Sequence, residues 1–153
     1  MTSGNELDPK ERIARRISRS QCAESPGDGQ PGVLDSDAFM PRADCPPGQG
    51  LEEYISVTRV ESFSGEFEDR LRDTTRSIVS RWRGRDPSRL RIGLLRVSDV
   101  HEAAQLKPKS LSVRIVDPTR DQSYAGIYGM DLTDAIIAQE LARRALLYAP
   151  RLP

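Results

Sequence analysis

Between residues 20 and 50 the chain carries Pro26, Pro31, Pro41, Pro46 and Pro47 together with Gly27, Gly29, Gly32, Gly48 and Gly50, and few large apolar side chains. Proline has no amide hydrogen to donate, and glycine has the most conformational freedom to lose. Without apolar surface to bury, that loss is not offset. The stretch predicts that residues 1–50 form a disordered, flexible Pro/Gly-rich tail, with a short helix over residues 9–20 bearing Arg12, Arg15, Arg16 and Arg19. Folding is then expected to begin near Leu51, which leaves residues 51–153 as a single domain.

Within that domain, residues 54–60 alternate Tyr54, Ser56, Thr58 and Val60 against Ile55, Val57 and Arg59, the period of a strand. Phe67, Leu71, Thr74, Ile78 and Trp82 then recur at helical spacing. Ser64 stands as a candidate N-cap and Glu66, Glu68 and Asp69 lie in the first turn, while Gly84 and Pro87 supply a stop. Residues 90–97, 111–116 and 124–128 read as three further strands. A last helix runs from Asp131 or Thr133 along Leu132, Ile136, Ile137, Leu141, Ala145 and Tyr148 to Pro150. The order β-α-β-β-β-α predicts an α+β domain: a small mixed or antiparallel sheet covered by two helices.

Composition narrows the function. The 23 basic and 23 acidic groups cancel overall, yet residues 1–69 sum to −7, residues 70–96 to +7 and residues 97–153 to zero. Twenty of the basic residues are arginine, which suits phosphate and carboxylate forks and also GC-rich coding. Cys22 and Cys45 alone provide neither a disulfide framework nor a zinc cage, so an intracellular setting is expected. The first thirty residues carry no secretory pattern, and no stretch has the roughly 20 apolar residues of a membrane span. One histidine, His101, stands among polar residues and reads as a solvated side chain. Gly126 and Gly129 lack the spacing of a phosphate loop. No cofactor and no metal are expected.

The Arg-rich stretch carries the functional expectation. On a helical wheel Arg72, Arg76 and Arg83 flank one side of the apolar stripe and Arg70 and Arg81 the other, with Arg85, Arg89 and Arg91 extending the surface. Such flanks grip phosphates in RNA-binding domains. The competing reading is that they cover the core edge and pair with acids of the first 69 residues. Tyr124 and Tyr128 share parity on one strand, so both can project to one side as stacking aromatics do, or pack into the core.

From Leu111-Ser-Val-Arg-Ile-Val, through Tyr124-Ala-Gly-Ile-Tyr128, to Asp131-Leu-Thr-Asp-Ala-Ile-Ile-Ala-Gln-Glu-Leu-Ala142 and Tyr148-Ala-Pro150, residues 111–150 resemble the C-terminal part of staphylococcal-nuclease-like domains, also found in extended Tudor domains. The resemblance implies an OB-type barrel and calcium-dependent phosphodiester cleavage. Asp99 and Glu102 keep that family's Asp-x-x-Glu spacing, but Arg96 stands too close and Arg91 too far, and no arginine follows Tyr124 where the second is required. Residues 66–148 also repeat the helix, three strands and helix of a double-stranded-RNA-binding domain, although the last helix opens on Asp131 and Asp134 where lysines would meet phosphate.

Three functions follow as expectations. The first is a non-enzymatic binding or adaptor module whose Arg-rich surface holds RNA or an acidic protein. The second is a structural subunit of a large complex, anchored to neighbouring subunits by its N-terminal tail. The third is a degenerate nuclease-like domain using Asp99 and Glu102.

Overall fold

The computed structural model describes residues 5–18, 21, 29–31, 34–42, 51–81 and 90–149. Its elements are strand β1 (Arg12–Ile17), β2 (Gln30–Pro31), β3 (Tyr54–Arg59), helix α1 (Phe67–Arg81), β4 (Arg91–Arg96), helix α2 (Val97–Ala104), β5 (Ser112–Asp117), β6 (Asp121–Tyr128), helix α3 (Ala135–Arg144) and β7 (Leu146–Tyr148). The strands form one seven-stranded sheet in the order β2-β7-β4-β1-β3-β6-β5, antiparallel at every neighbouring pair. The α+β class expected from the sequence is therefore found. Among the described residues no helix is long and apolar enough to cross a membrane.

Two apolar layers sandwich the sheet. On one face Ile13, Ile17, Ile55, Val57, Leu95, Val113, Ile115, Ala125 and Ile127 pack with Val100 and Ala103 of α2 and with Ile137, Ala138 and Leu141 of α3. On the other, Ala14, Ile92 and Leu94 meet Ile78 of α1, with Phe67, Leu146 and Tyr148 at the margin. Period-two alternation in β1 and β4 serves both layers at once, so each strand sends successive side chains into different cores.

Several sequence expectations are corrected here. Residues 12–17, placed in a tail and read as helical, form β1 in the middle of the sheet, with Ile13 and Ile17 fully buried. Apolar residues at 13, 14 and 17 fit a helical turn as well as a strand, and six residue pairs with β4 decide the matter in favour of the strand. Residues 34–42 are not tail either. A 3-10 turn at Ser36–Phe39 buries Ala38 and Phe39 completely in the α2–α3 core. The average composition of residues 20–50 hid this short apolar piece.

Residues 5–7 run beside the outer edge of β5, where the Leu7 amide donates to Val113 O at 3.0 Å and the Ile115 amide to Asn5 O at 2.8 Å. Three helices rather than two cover the sheet, because the residues around His101 form α2. Its first turn is fixed by the Asp99 carboxylate accepting the Arg96 amide at 2.9 Å. The last helix is also shorter than expected. The backbone turns extended at Ala145, and Leu146–Tyr148 leaves α3 to pair with β4 as β7. Trp82, Gly84 and Pro87 lie outside the described residues.

Candidate functional site

Of the eight arginines expected to form a binding surface, Arg83, Arg85 and Arg89 lie outside the described residues. Arg70 donates to Gly65 O at 3.0 Å and to Glu61 Oε1 at 3.2 Å. Arg72 and Arg76 pair within α1 to Asp69 at 3.3 Å and Asp73 at 3.6 Å. Arg91 stands on β4 and donates to Leu90 O at 2.9 Å. Of the five described, Arg81 lines a cavity, and its companions there come from outside the expected set.

That cavity exists because β1 and β3 part. They pair only at Ile13↔Arg59 and Ala14↔Thr58, whereas β1 and β4 pair along their whole length. Beyond Ala14 the gap is bridged by Arg15, whose Nε donates to Ala38 O at 2.9 Å and whose Nη1 donates to Ser56 O and Oγ, both at 3.0 Å. Burial, then the nearby cation of Arg16, pushes the Arg15 guanidinium down to about 10, with Arg42 adding to the effect and Glu52 opposing it. It remains a cation at neutral pH.

The space above the gap is a cavity of about 200 Å³ lined by Arg16, Arg42, Arg81, Ser56, Thr58 and Tyr124, with Ala14 and Ile78 on its apolar side. Arg81, in the last turn of α1, is held there on three sides. It donates to Thr58 Oγ1, to Ser77 Oγ at 2.8 Å, and lies 3.4 Å from Asp121 Oδ2, with its Cζ 4.7 Å from the centre of the Tyr124 ring. Burial lowers its pKa, while Asp121 and Tyr124 work against that lowering. Arg42 reaches in from the far wall; its side chain is 61% exposed and its Nε lies 3.6 Å from Glu52. Three guanidinia therefore line one cavity, Arg15 stands behind it on Ser56, and Glu52 and Asp121 pair with Arg42 and Arg81. None of the described lining residues is a carboxylate, a histidine or a cysteine. Cations and hydroxyls can hold a negative ligand; they supply no base.

The cavity opens beside three half-exposed tyrosines. Register places Tyr54 opposite Tyr128 and Thr58 opposite Tyr124, all on the face turned away from α2 and α3. The Tyr54 and Tyr128 ring centres are 5.2 Å apart, those of Tyr54 and Tyr124 6.1 Å. Tyr54 OH and Tyr124 OH lie 3.4 Å from each other. Burial first, then the contact with Tyr124, raises the Tyr54 phenol well above its ordinary range. Gly126 sits between them because a Cβ there would come within 2.6 Å of Tyr54 Cδ2.

The remaining candidates are occupied. Asp99 and Glu102 both pair with Arg144 of α3, Asp99 at 3.2 Å, and Glu140 joins them at 2.9 Å. His101 is exposed on α2. The fully buried Asp134 accepts from Lys107 at 3.0 Å, from Lys109, and from the Asp131 amide at 2.9 Å, a closed network that pins the start of α3. Among the described residues no group of three or more His, Cys, Asp or Glu side chains is placed to hold a metal ion. Cys22 and Cys45 lie outside the described residues.

The sequence pattern missed Arg15, Arg16 and Arg42 because all three fell in the segment read as a tail. The available signal was Ile13-x-x-x-Ile17 bracketing Arg15 and Arg16, which suits a strand threaded through a core as well as a free helix. No family model, no curated protein and no solved structure matches this chain.

Proposed function

We propose that this protein is a non-enzymatic binding module that holds phosphate groups of RNA in the arginine-lined cleft between β1 and β3. One observation carries the reading: Arg16, Arg42 and Arg81, drawn from three separate parts of the chain, line a single cavity with the Ser56 and Thr58 hydroxyls and a fourth guanidinium, Arg15, behind. Arginine presents a planar fork matched to phosphate oxygens, and fixing it in advance, as Thr58 and Tyr124 fix Arg81, removes part of the ordering cost of binding.

The other expectations have less support. Asp99 and Glu102 are engaged by Arg144, which argues against their serving as metal ligands in a nuclease-like reaction. The anchoring-tail reading loses its ground where residues 12–17 and 34–42 build the core.

The test is RNA affinity measured against salt. Three phosphate contacts on a single strand give a log–log slope of about −2. Replacing Arg42 or Arg16 with Gln is expected to reduce that slope by about 0.7 in each case. No RNA binding at low salt sinks the proposal. Equal displacement by polyglutamate shifts it to an acidic protein.

A further inference from the structure

From the half-exposed rings of Tyr54, Tyr124 and Tyr128, bracketed by Arg81 and Arg114, we infer that the open half of the sheet is a base-stacking platform and that the ligand is single-stranded RNA; this rests on the reading of the adjoining cleft as its phosphate site.

The two halves of this sheet face are built differently. Over β4 and β1 it carries Ala14, Ile92 and Leu94, buried together with Ile78 of α1, and Leu146 of β7 stands half-buried beside them. Over β3, β6 and β5 the same face carries Tyr54, Ser56, Tyr124, Gly126, Tyr128, Ser112 and Arg114, alternating with core residues on each strand. Among the described residues the ring contacts of the three tyrosines are with one another, with Arg81 and with Arg114. A face meant only for water does not need three aromatic rings. Each is a large apolar surface whose exposure is costly unless something stacks on it.

The charge pattern selects the occupant. The Arg114 guanidinium lies 4.0 Å from the centre of the Tyr128 ring at one end of the row, and Arg81 lies 4.7 Å from that of Tyr124 at the other. Arg114 Nε is buried without a hydrogen-bond partner among the described residues, so this cation is incompletely satisfied by the protein itself. Flat rings and flat cations accept the faces of nucleobases, and the same cations neutralise the backbone that links them. A duplex hides those faces inside its stack, which leaves an unpaired strand as the form that fits. An acidic peptide would satisfy the arginines and leave the rings unused.

Gly126 makes the platform possible. It lets the Tyr54 ring lie down on β6 between Tyr124 and Tyr128, where any side chain would push it away.

The experiment uses the full chain and fluorescence anisotropy, with a labelled oligouridylate and, at equal length, an abasic ribose-phosphate strand, an RNA duplex and oligodeoxythymidylate. Stacking predicts that oligouridylate binds at least about tenfold tighter than the abasic strand or the duplex. Tyr128→Leu should remove that advantage and leave abasic binding unchanged, whereas Tyr128→Phe should keep it. Equal affinity for oligouridylate and the abasic strand overturns the inference and leaves the cleft reading intact; absence of binding to both overturns the two together. Preference for the duplex or for the deoxy strand also overturns it. Should Tyr128→Leu fail to fold, the wild-type ratio of oligouridylate to abasic binding, with Tyr128→Phe beside it, decides alone.

Discussion

Arg72 and Arg76 of α1 and the arginines of β1 do opposite work with the same side chain. On α1, Arg72 and Arg76 lean onto acids three residues away, with side chains 48% and 57% exposed. On β1, Arg12 reaches Glu61 through both backbone and side chain, Arg15 ties β1 to Ser56 and Ala38, and Arg16 lines the cleft. A helix laid on a surface can return its charged flank to water. A strand with neighbours on both sides cannot, because its alternate side chains enter two layers and each must find a partner there. Density of charge along the chain therefore says little about where charge is used. What counts is the number of elements a side chain stands between.

Arg15→Leu is the sharpest way to break this contrast. It removes the donor from two carbonyls in the gap between β1 and β3, and unfolding by denaturant is expected to show a loss of about 3 kcal/mol. A loss no larger than that of an α1 arginine would erase the distinction. Gly126→Ala comes next, at about 2 kcal/mol, because the added methyl meets Tyr54 on a face where neither strand can yield. Unchanged stability would mean that the Tyr54 ring is free to leave.

Much of the architecture could be read in advance, and the failures share one cause. Strand β3, helix α1 and strand β5 announced themselves because each keeps a single period over its whole length. β1 did not, since Arg15 falls where the strand pattern wants an apolar residue and its partners, Ser56 and Ala38, are remote in sequence. β7 reads as part of the preceding helix because Ala145 and Tyr148 prolong the α3 stripe. What takes Leu146–Tyr148 out of it is the outer edge of β4, which needs a pairing partner. At the site, Arg81 and the shared parity of Tyr124 and Tyr128 were legible locally. Arg16, Arg42, Ser56 and Tyr54 were not, because nothing in the sequence says that β1 lies beside β3.

A pH titration tests the carboxylate on which β1 and α1 meet. Burial alone would raise the Glu61 carboxyl, but its hydrogen bonds from Arg12 and Arg70 prevail and hold it below the ordinary carboxylate range. A carboxyl depressed in the folded state contributes stability above its unfolded pKa, about 4.3 for glutamate, and loses that contribution as pH falls through the folded value. Glu61→Gln should therefore cost about 1 kcal/mol at neutral pH, with wild type and variant converging below about pH 4. A gap that persists in acid would show that packing, not charge, makes the link.

The smallest effect is expected from the residues that the sequence made most conspicuous. The double variant Arg72→Ala, Arg76→Ala breaks two exposed pairs within one helix, each worth at most about 0.5 kcal/mol and partly repaid by alanine's helix propensity. Its thermal midpoint should stay within a few degrees of wild type. Its RNA affinity should fall less than that of Arg42→Gln, since the α1 flank and the cleft are separate surfaces. If instead the double variant loses more affinity than Arg42→Gln, the phosphates lie along α1, and the gap between β1 and β3 is only the space that Arg15 needs.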